Sequence, residues 1–194
     1  MTLRTLRFLI HADLYRYTGG VTPARFLKNV LFNPGFKYTM WMRICAYCRA
    51  HAPLRFTVLP FAHLIFAHYM YKYGIAMPYE TTVGSGLQIG HFGGIVVNEQ
   101  SVIGKNCNLS HGVTIGRANR GRKAGVPTIG DNVFIGPGAR ILGNIRIGNG
   151  AAVGANCVVT DDVPDNGVVV GIPGRVISME GSEGYINRTD YDRS

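Results

Sequence analysis

The sequence predicts a mainly β chain in which a solenoid of six-residue repeats follows an α-helical segment. Three observations carry that expectation. Aliphatic residues recur every six positions after residue 80, glycines crowd into the same stretch, and aromatic residues crowd into the stretch before it. Residues 1–80 hold 4 of the 26 glycines, 16 of the 20 aromatics, 10 basic and 2 acidic side chains. Residues 81–194 hold 22 glycines, 4 aromatics, 10 basic and 9 acidic side chains, so the net charge of +9 divides into +8 and +1. With 46% hydrophobic residues the chain has the composition of a packed protein rather than a disordered one. No uncharged apolar run reaches the roughly 18 residues needed to span a bilayer; the strongly apolar stretch Phe56–Met70 is too short and is interrupted by Pro60 and two histidines.

In the first segment, Leu3, Leu6, Leu9 and Ile10, then Phe26, Leu27, Val30 and Leu31, then Trp41, Ile44, Cys45 and Cys48 have helical spacing, with Pro23, Pro34, Pro53 and Pro60 as breaks. Several short helices are expected before the solenoid. Arg4 and Arg7 interrupt the N-terminal apolar runs and no small-residue cleavage site follows, which predicts a cytoplasmic chain. The surplus of cations and aromatics suits a glycan or the anionic inner face of a membrane, as peripheral contact through residues 1–80. Nucleic acid is a poor fit, because no recognition helix or RNA motif accompanies the charge. Cys45-Ala-Tyr-Cys48 has a redox or metal spacing, but without a second pair or a βαβ context the two read as small apolar residues on a buried helix face.

The repeat runs through Val83, Ile89 and Ile95, shifts by two residues to Val97, Ile103, Leu109 and Ile115, and resumes at Ile129, Ile135, Ile141, Ile147, Val153 and Val159. A period of six matches neither a helix nor a hairpin ladder, but fits a solenoid whose hexads are each a short strand plus a turn. Three hexads make one triangular coil, and about twelve make roughly four coils. Glycine often follows the aliphatic residue, where it is expected to permit the turn's backbone angles. Cys107 and Cys157 fall on the small interior position and read as packing residues.

Two interruptions mark where chemistry is expected, because a repeat architecture places its insertions on one face. The first is Gly90–His91–Phe92–Gly93–Gly94, at the phase shift. The second, residues 117–127, adds eight residues and contains Arg117, Arg120, Arg122 and Lys123 with no acid. Cations in such a loop suit phosphate groups of a ligand.

The hexads, the extruded loop, His91-x-x-Gly94–Ile95–Val96–Val97-x-Glu99, the stretch His111–Gly116, Ile141–Ile145 and the terminal Gly171–Val176 resemble the hexapeptide-repeat acyltransferases, in the serine acetyltransferase-like branch that includes exopolysaccharide and capsule O-acetyltransferases. The resemblance covers about residues 75–178. It implies a left-handed parallel β-helix over 75–178 after a helical segment 1–74 and before a tail 179–194, assembled as a homotrimer. It implies acetyl-CoA as co-substrate and no metal, since a third histidine in the repeat is missing. His91 matches the catalytic histidine; Glu99 is a candidate to orient it, and His111 a second catalytic candidate. Gly116, Arg117, Ala118, Arg120, Lys123, Gly136, Pro137, Ala155 and Arg175 are the implied acetyl-CoA contacts.

Departures from the family pattern bear on the acceptor. An aspartate directly before the catalytic histidine, a second upstream, and an Arg-His pair before a proline hold serine in that branch. Here those positions are Gly90, about Ala76, and Gly125 with Val126. Losing both charged clamps favours a saccharide or lipid-linked glycan acceptor, in polysaccharide biosynthesis or modification. A serine acetyltransferase of cysteine biosynthesis and a non-catalytic trimeric scaffold are the alternatives.

Overall fold

A computed structural model describes residues 1–193. Helices α1 (Leu3–Thr18), α2 (Pro23–Phe32), α3 (Pro34–Arg49), α4 (Ala52–Thr57) and α5 (Leu59–Tyr73) precede the first strand. The four prolines are starts as much as breaks, each lying at the first or second position of a helix. The missing N–H costs nothing there, because it would have no partner inside the helix. The side chains of Thr2, Thr22 and Asn33 cap α1, α2 and α3 by accepting a backbone N–H three residues on. No helix is long and apolar enough to cross a membrane among the described residues.

Strands β1 (Ile75–Ala76), β2 (Thr82–Val83) and β3 (Gln88–Ile89) form the first coil. The second has β4 (Ile95–Val97), β5 (Val102–Ile103) and β6 (Asn108–Leu109), and the third β7 (Thr114–Gly116), β8 (Thr128–Ile129) and β9 (Phe134–Ile135). The fourth has β10 (Arg140–Leu142), β11 (Arg146–Ile147) and β12 (Ala152–Val153), and the fifth β13 (Val158–Val159) and β14 (Val168–Val170). Stacked coil on coil, they make three faces: β1-β4-β7-β10-β13, then β2-β5-β8-β11, then β3-β6-β9-β12-β14, all parallel within a face, with β15 (Arg175–Ser178) added antiparallel to β14. There are thus five coils where the hexad count suggests about four. The first begins at Ile75, ahead of the visible repeat, and the middle strand of the fifth is reduced to a single bridge from Val163 to Ile147.

The repeating aliphatics point inward, and Ile89, Leu109, Ile135, Val153 and Val169 are all at most 2% exposed. Cys107 and Cys157 are fully buried, and burial pushes the Cys107 thiol up to about 12. Most of the glycines after the aliphatic residues, Gly90 excepted, have a different reason from the one expected. A Cβ on Gly104 would lie 2.4 Å from Gly130 O, so the close stacking of corners excludes any side chain. Left-handed backbone occurs instead two residues further on, at Asn106 (φ 56°) and Asn132 (φ 57°), asparagine being the non-glycine residue that adopts it most readily.

The first coil has no preceding coil to pair with, and the helices supply the missing partners. Asp13 accepts the Leu87 N–H at 2.9 Å, Tyr17 Oη accepts the Ile89 N–H at 2.8 Å, and Tyr38 Oη donates to Met77 O at 2.6 Å. Arg43 donates to both Asp13 oxygens at 3.1 and 3.2 Å and to Val83 O and Gly84 O at 2.6 and 2.5 Å. Asp13 is fully buried and Arg43 4% exposed. Arg16, also fully buried, reaches Gly86 O, Asn108 Oδ1 and Asn187 O.

The tail runs back across the third face. Tyr185 stacks on Phe134 with centroids 4.3 Å apart, Ser182 Oγ donates to Asn132 O, and Tyr191 Oη donates to Asn106 Oδ1. The loop 117–127 folds as a hairpin closed by Ala118 and Gly125, which exchange backbone hydrogen bonds at 2.9 Å. Lys123 pins it to the fifth coil through Asp161 at 2.7 Å.

Arg43→Ala leaves a carboxylate buried without its counter-ion, and a loss of about 3–5 kcal/mol is expected in denaturant unfolding. Lys123, and Arg175 beyond it, hold the Asp161 carboxyl below its ordinary value of 3.8. The stabilisation is therefore present above that value and fades as pH falls through the depressed one. The protection of the Ala118 and Gly125 amides, measured relative to their intrinsic exchange at each pH, is expected to fall at that acidic end, and to be lost to a similar extent at neutral pH in Lys123→Ala.

Candidate active site

The corner between the third and first faces carries the histidines. Successive coils meet there through Gly112 N–H to Gly93 O at 2.7 Å, Gly138 N–H to His111 O at 2.9 Å and Asn156 N–H to Pro137 O at 2.8 Å. His91, His111, Pro137 and Ala155 are therefore successive rungs of one corner. The rings of His91 and His111 lie 6.1 Å apart, nearly perpendicular, and both are exposed. Phe92 packs obliquely on Tyr73 at 5.2 Å. A Cβ on Gly90 or Gly93 would meet no atom within 4 Å, so the backbone around His91 is open on both sides. Arg140, on the first face, reaches back to donate to Gly112 O, beside His111.

The other implied residues lie at the opposite edge of the first face. Glu99 follows β4, whereas His91 precedes it, and three strand residues plus the corners separate them by about 13 Å. A single chain therefore holds the two at opposite ends of β4. Glu99, Gly116 and Arg117 instead line a groove of about 480 Å³ with Ala76, Val96 and Asn98. Arg117 donates to Gln100 Oε1 at 3.0 Å, and Ala118 closes the hairpin. Lys123 is occupied by Asp161, whereas Arg120 and Arg122 have no acidic partner among the described residues. Gly136 is explained by packing, since a Cβ there would lie 2.9 Å from Ala155 N and Val153 O. Arg175 opens β15, over the last coil.

Among the described residues no group of three or more His, Cys, Asp or Glu is placed to hold a metal. Cys45 and Cys48 are buried, and burial pushes the Cys45 thiol up to about 12, which leaves it protonated and unreactive. Two features escaped sequence reasoning. Arg140 reads as an ordinary outward strand residue, and a groove of about 350 Å³ beside Gly90 is built partly from α2 and α3, sixty residues away in sequence. No periodicity or motif marks either.

The family model described as "Bacterial transferase hexapeptide (six repeats)" matches residues 127–161. A serine acetyltransferase of Bacillus pumilus is 42% identical over 115 residues, 59% of this chain and 52% of that protein. The chain thus spans about half the length of the curated relatives it matches. The soybean serine acetyltransferase apoenzyme superposes with a TM-score of 0.73 at 34% identity, over 90% of this chain and 69% of that one. The Neisseria gonorrhoeae serine acetyltransferase in complex with serine gives 0.73 at 30% identity, over 91% and 70%. A serine acetyltransferase complex with CoA gives 0.72 at 28% identity, over 90% and 71%.

These relatives overturn the saccharide acceptor and the link to polysaccharide biosynthesis, which rested on the missing serine clamp. A lost contact removes one way of holding a substrate; it does not identify another substrate. On the repeat model and on relatives at 30% identity or better over more than two thirds of their length, the chain belongs to the hexapeptide-repeat acyltransferase family.

Proposed function

We propose that the chain is an acetyl-CoA-dependent O-acetyltransferase whose acceptor is the hydroxyl of serine. The observation that carries the proposal is the exposed His91 at a glycine-flanked corner of a fold shared over nine-tenths of the chain with a serine-bound serine acetyltransferase. A neutral imidazole at His91 takes the proton from the serine hydroxyl as its oxygen attacks the thioester carbonyl. The tetrahedral oxyanion collapses, the carbon–sulfur bond breaks, and the thiolate leaves with the proton returned by the imidazolium. The products are O-acetylserine and free CoA. His111, on the next rung, is the candidate to stabilise the oxyanion.

For acetyl-CoA the fit rests on two features. Pro137 and Ala155 keep the corner beyond the histidines free of long side chains, and Arg120, Arg122 and Arg175 offer guanidinium groups for its phosphates. The hairpin and the histidines sit on opposite edges of the first face. That division suits a homotrimer in which one chain's hairpin meets another's histidines, the assembly implied by the family, whose coil is left-handed.

Purified protein given acetyl-CoA and L-serine is expected to release CoA thiol, and His91→Ala to reduce turnover by about 10²–10⁴-fold. No thiol release with serine by a folded, CoA-binding preparation would sink the serine reading; near-normal turnover by His91→Ala would sink the assignment of the base. Gly90→Asp is sterically free and places a carboxylate next to His91. It is expected to fold like the parent and to lower the KM for serine by roughly tenfold, as an added charged contact to its ammonium.

A further inference from the structure

The groove beside Gly90 has no part in the proton transfer. It holds about 350 Å³ and is lined by Lys28, Asn29, Phe32, Asn33, Pro34 and Gly90. Its place is set by the contact of α3 with β3: a Cβ on Gly35 would lie 2.2 Å from Ile89 O, so the start of α3 rests on the strand that runs out into Gly90. Gly90 makes a wall without a side chain, and the next residue is His91.

The chemistry of the lining is one-sided. Asn33 donates to Asn29 Oδ1 at 3.0 Å and accepts the Phe36 N–H, and Asn29 donates to Arg25 O, so both amides are committed within the helices. Lys28 is the only ionised group in the lining, and no ion pair engages it among the described residues. The two acids of residues 1–80 are consumed elsewhere, Asp13 by Arg43 and Glu80 by Arg49. A pocket with one ammonium and no carboxylate attracts an anionic group and offers a cationic one no partner. Lysine's long flexible stem lets its charge follow a carboxylate while the hydroxyl stays at the imidazole.

We infer that this groove is the acceptor subsite and that it recognises the acceptor by its carboxylate through Lys28, without recognition of an amino group. The acceptor class is a 3-hydroxy carboxylate, of which serine is one member. This rests on the acetyl-transfer reading above. It also accounts for Gly90 and Ala76 standing where the family pattern has aspartates, because an acceptor held by its carboxylate alone needs no ammonium partner.

The test compares L-serine, 3-hydroxypropanoate and serinamide in the thiol-release assay with the parent, Lys28→Gln and Lys28→Arg, alongside an NMR titration of 3-hydroxypropanoate without acetyl-CoA. The parent is expected to use 3-hydroxypropanoate within about tenfold of serine, and serinamide roughly ten- to a hundredfold less well. Lys28→Gln should raise KM for both acids by the same factor with kcat within about twofold, and Lys28→Arg should recover most of the loss. An unchanged KM in Lys28→Gln, or serinamide used as well as serine, overturns the inference. If the parent acetylates none of the three, acetyl transfer to this class falls and the titration decides the subsite separately. Binding that weakens in Lys28→Gln upholds it, and equal or absent binding removes it.

Discussion

A parallel solenoid has an open edge at its first coil, and unpaired backbone donors and acceptors buried there would each cost about 1–3 kcal/mol. The hydrogen bonds that close this edge organise the rest of the molecule. Asp13, Tyr17 and Tyr38 pair with the first coil, and Arg43 donates to both oxygens of Asp13 and to two further carbonyls of the same coil. Through these contacts α1 and α3 become, in effect, the coil that is missing. The other end is closed more simply, by β15 reversing direction against β14.

This closure also shapes the site. To bring Tyr17 and α3 against β3, the start of α3 must meet Ile89, and that approach leaves the groove between α2, α3 and Gly90 next to His91. The helical segment's acids are used up in the closure and in one surface pair, which leaves the groove with a lone lysine. The positive charge of the groove is therefore a consequence of where the two acids pair, whereas the +8 of residues 1–80 follows from their composition.

Along the first face the implied functional residues divide between two edges. The histidines share one corner because each sits one coil above the other, with corner hydrogen bonds fixing the stacking. The hairpin, Glu99 and Gly116 share the opposite edge, a strand's length away. The proposed acyl transfer from a phosphate-rich carrier asks for both sets together, and within one chain they stand at opposite edges of the face.

The hexad period by itself determined the solenoid, the inward aliphatic columns, the buried Cys107 and Cys157, and the places where the repeat breaks, including His91. Those are local consequences of spacing, repeated often enough to be read along the chain. The fifth coil, the real reason for Gly104, the strap made by the tail, the separation of Glu99 from His91, the capture of Lys123 by Asp161 and the placing of Lys28 beside Gly90 were decided by the tertiary structure. Each of these depends on groups brought together across a stacked coil or across the cap-to-solenoid contact. Single side chains meeting over such distances leave no period in the sequence, because nothing repeats. The missing serine clamp was legible as well, yet an absence in the sequence says only which contact is gone, whereas the groove beside Gly90 exists only once α2 and α3 meet β3.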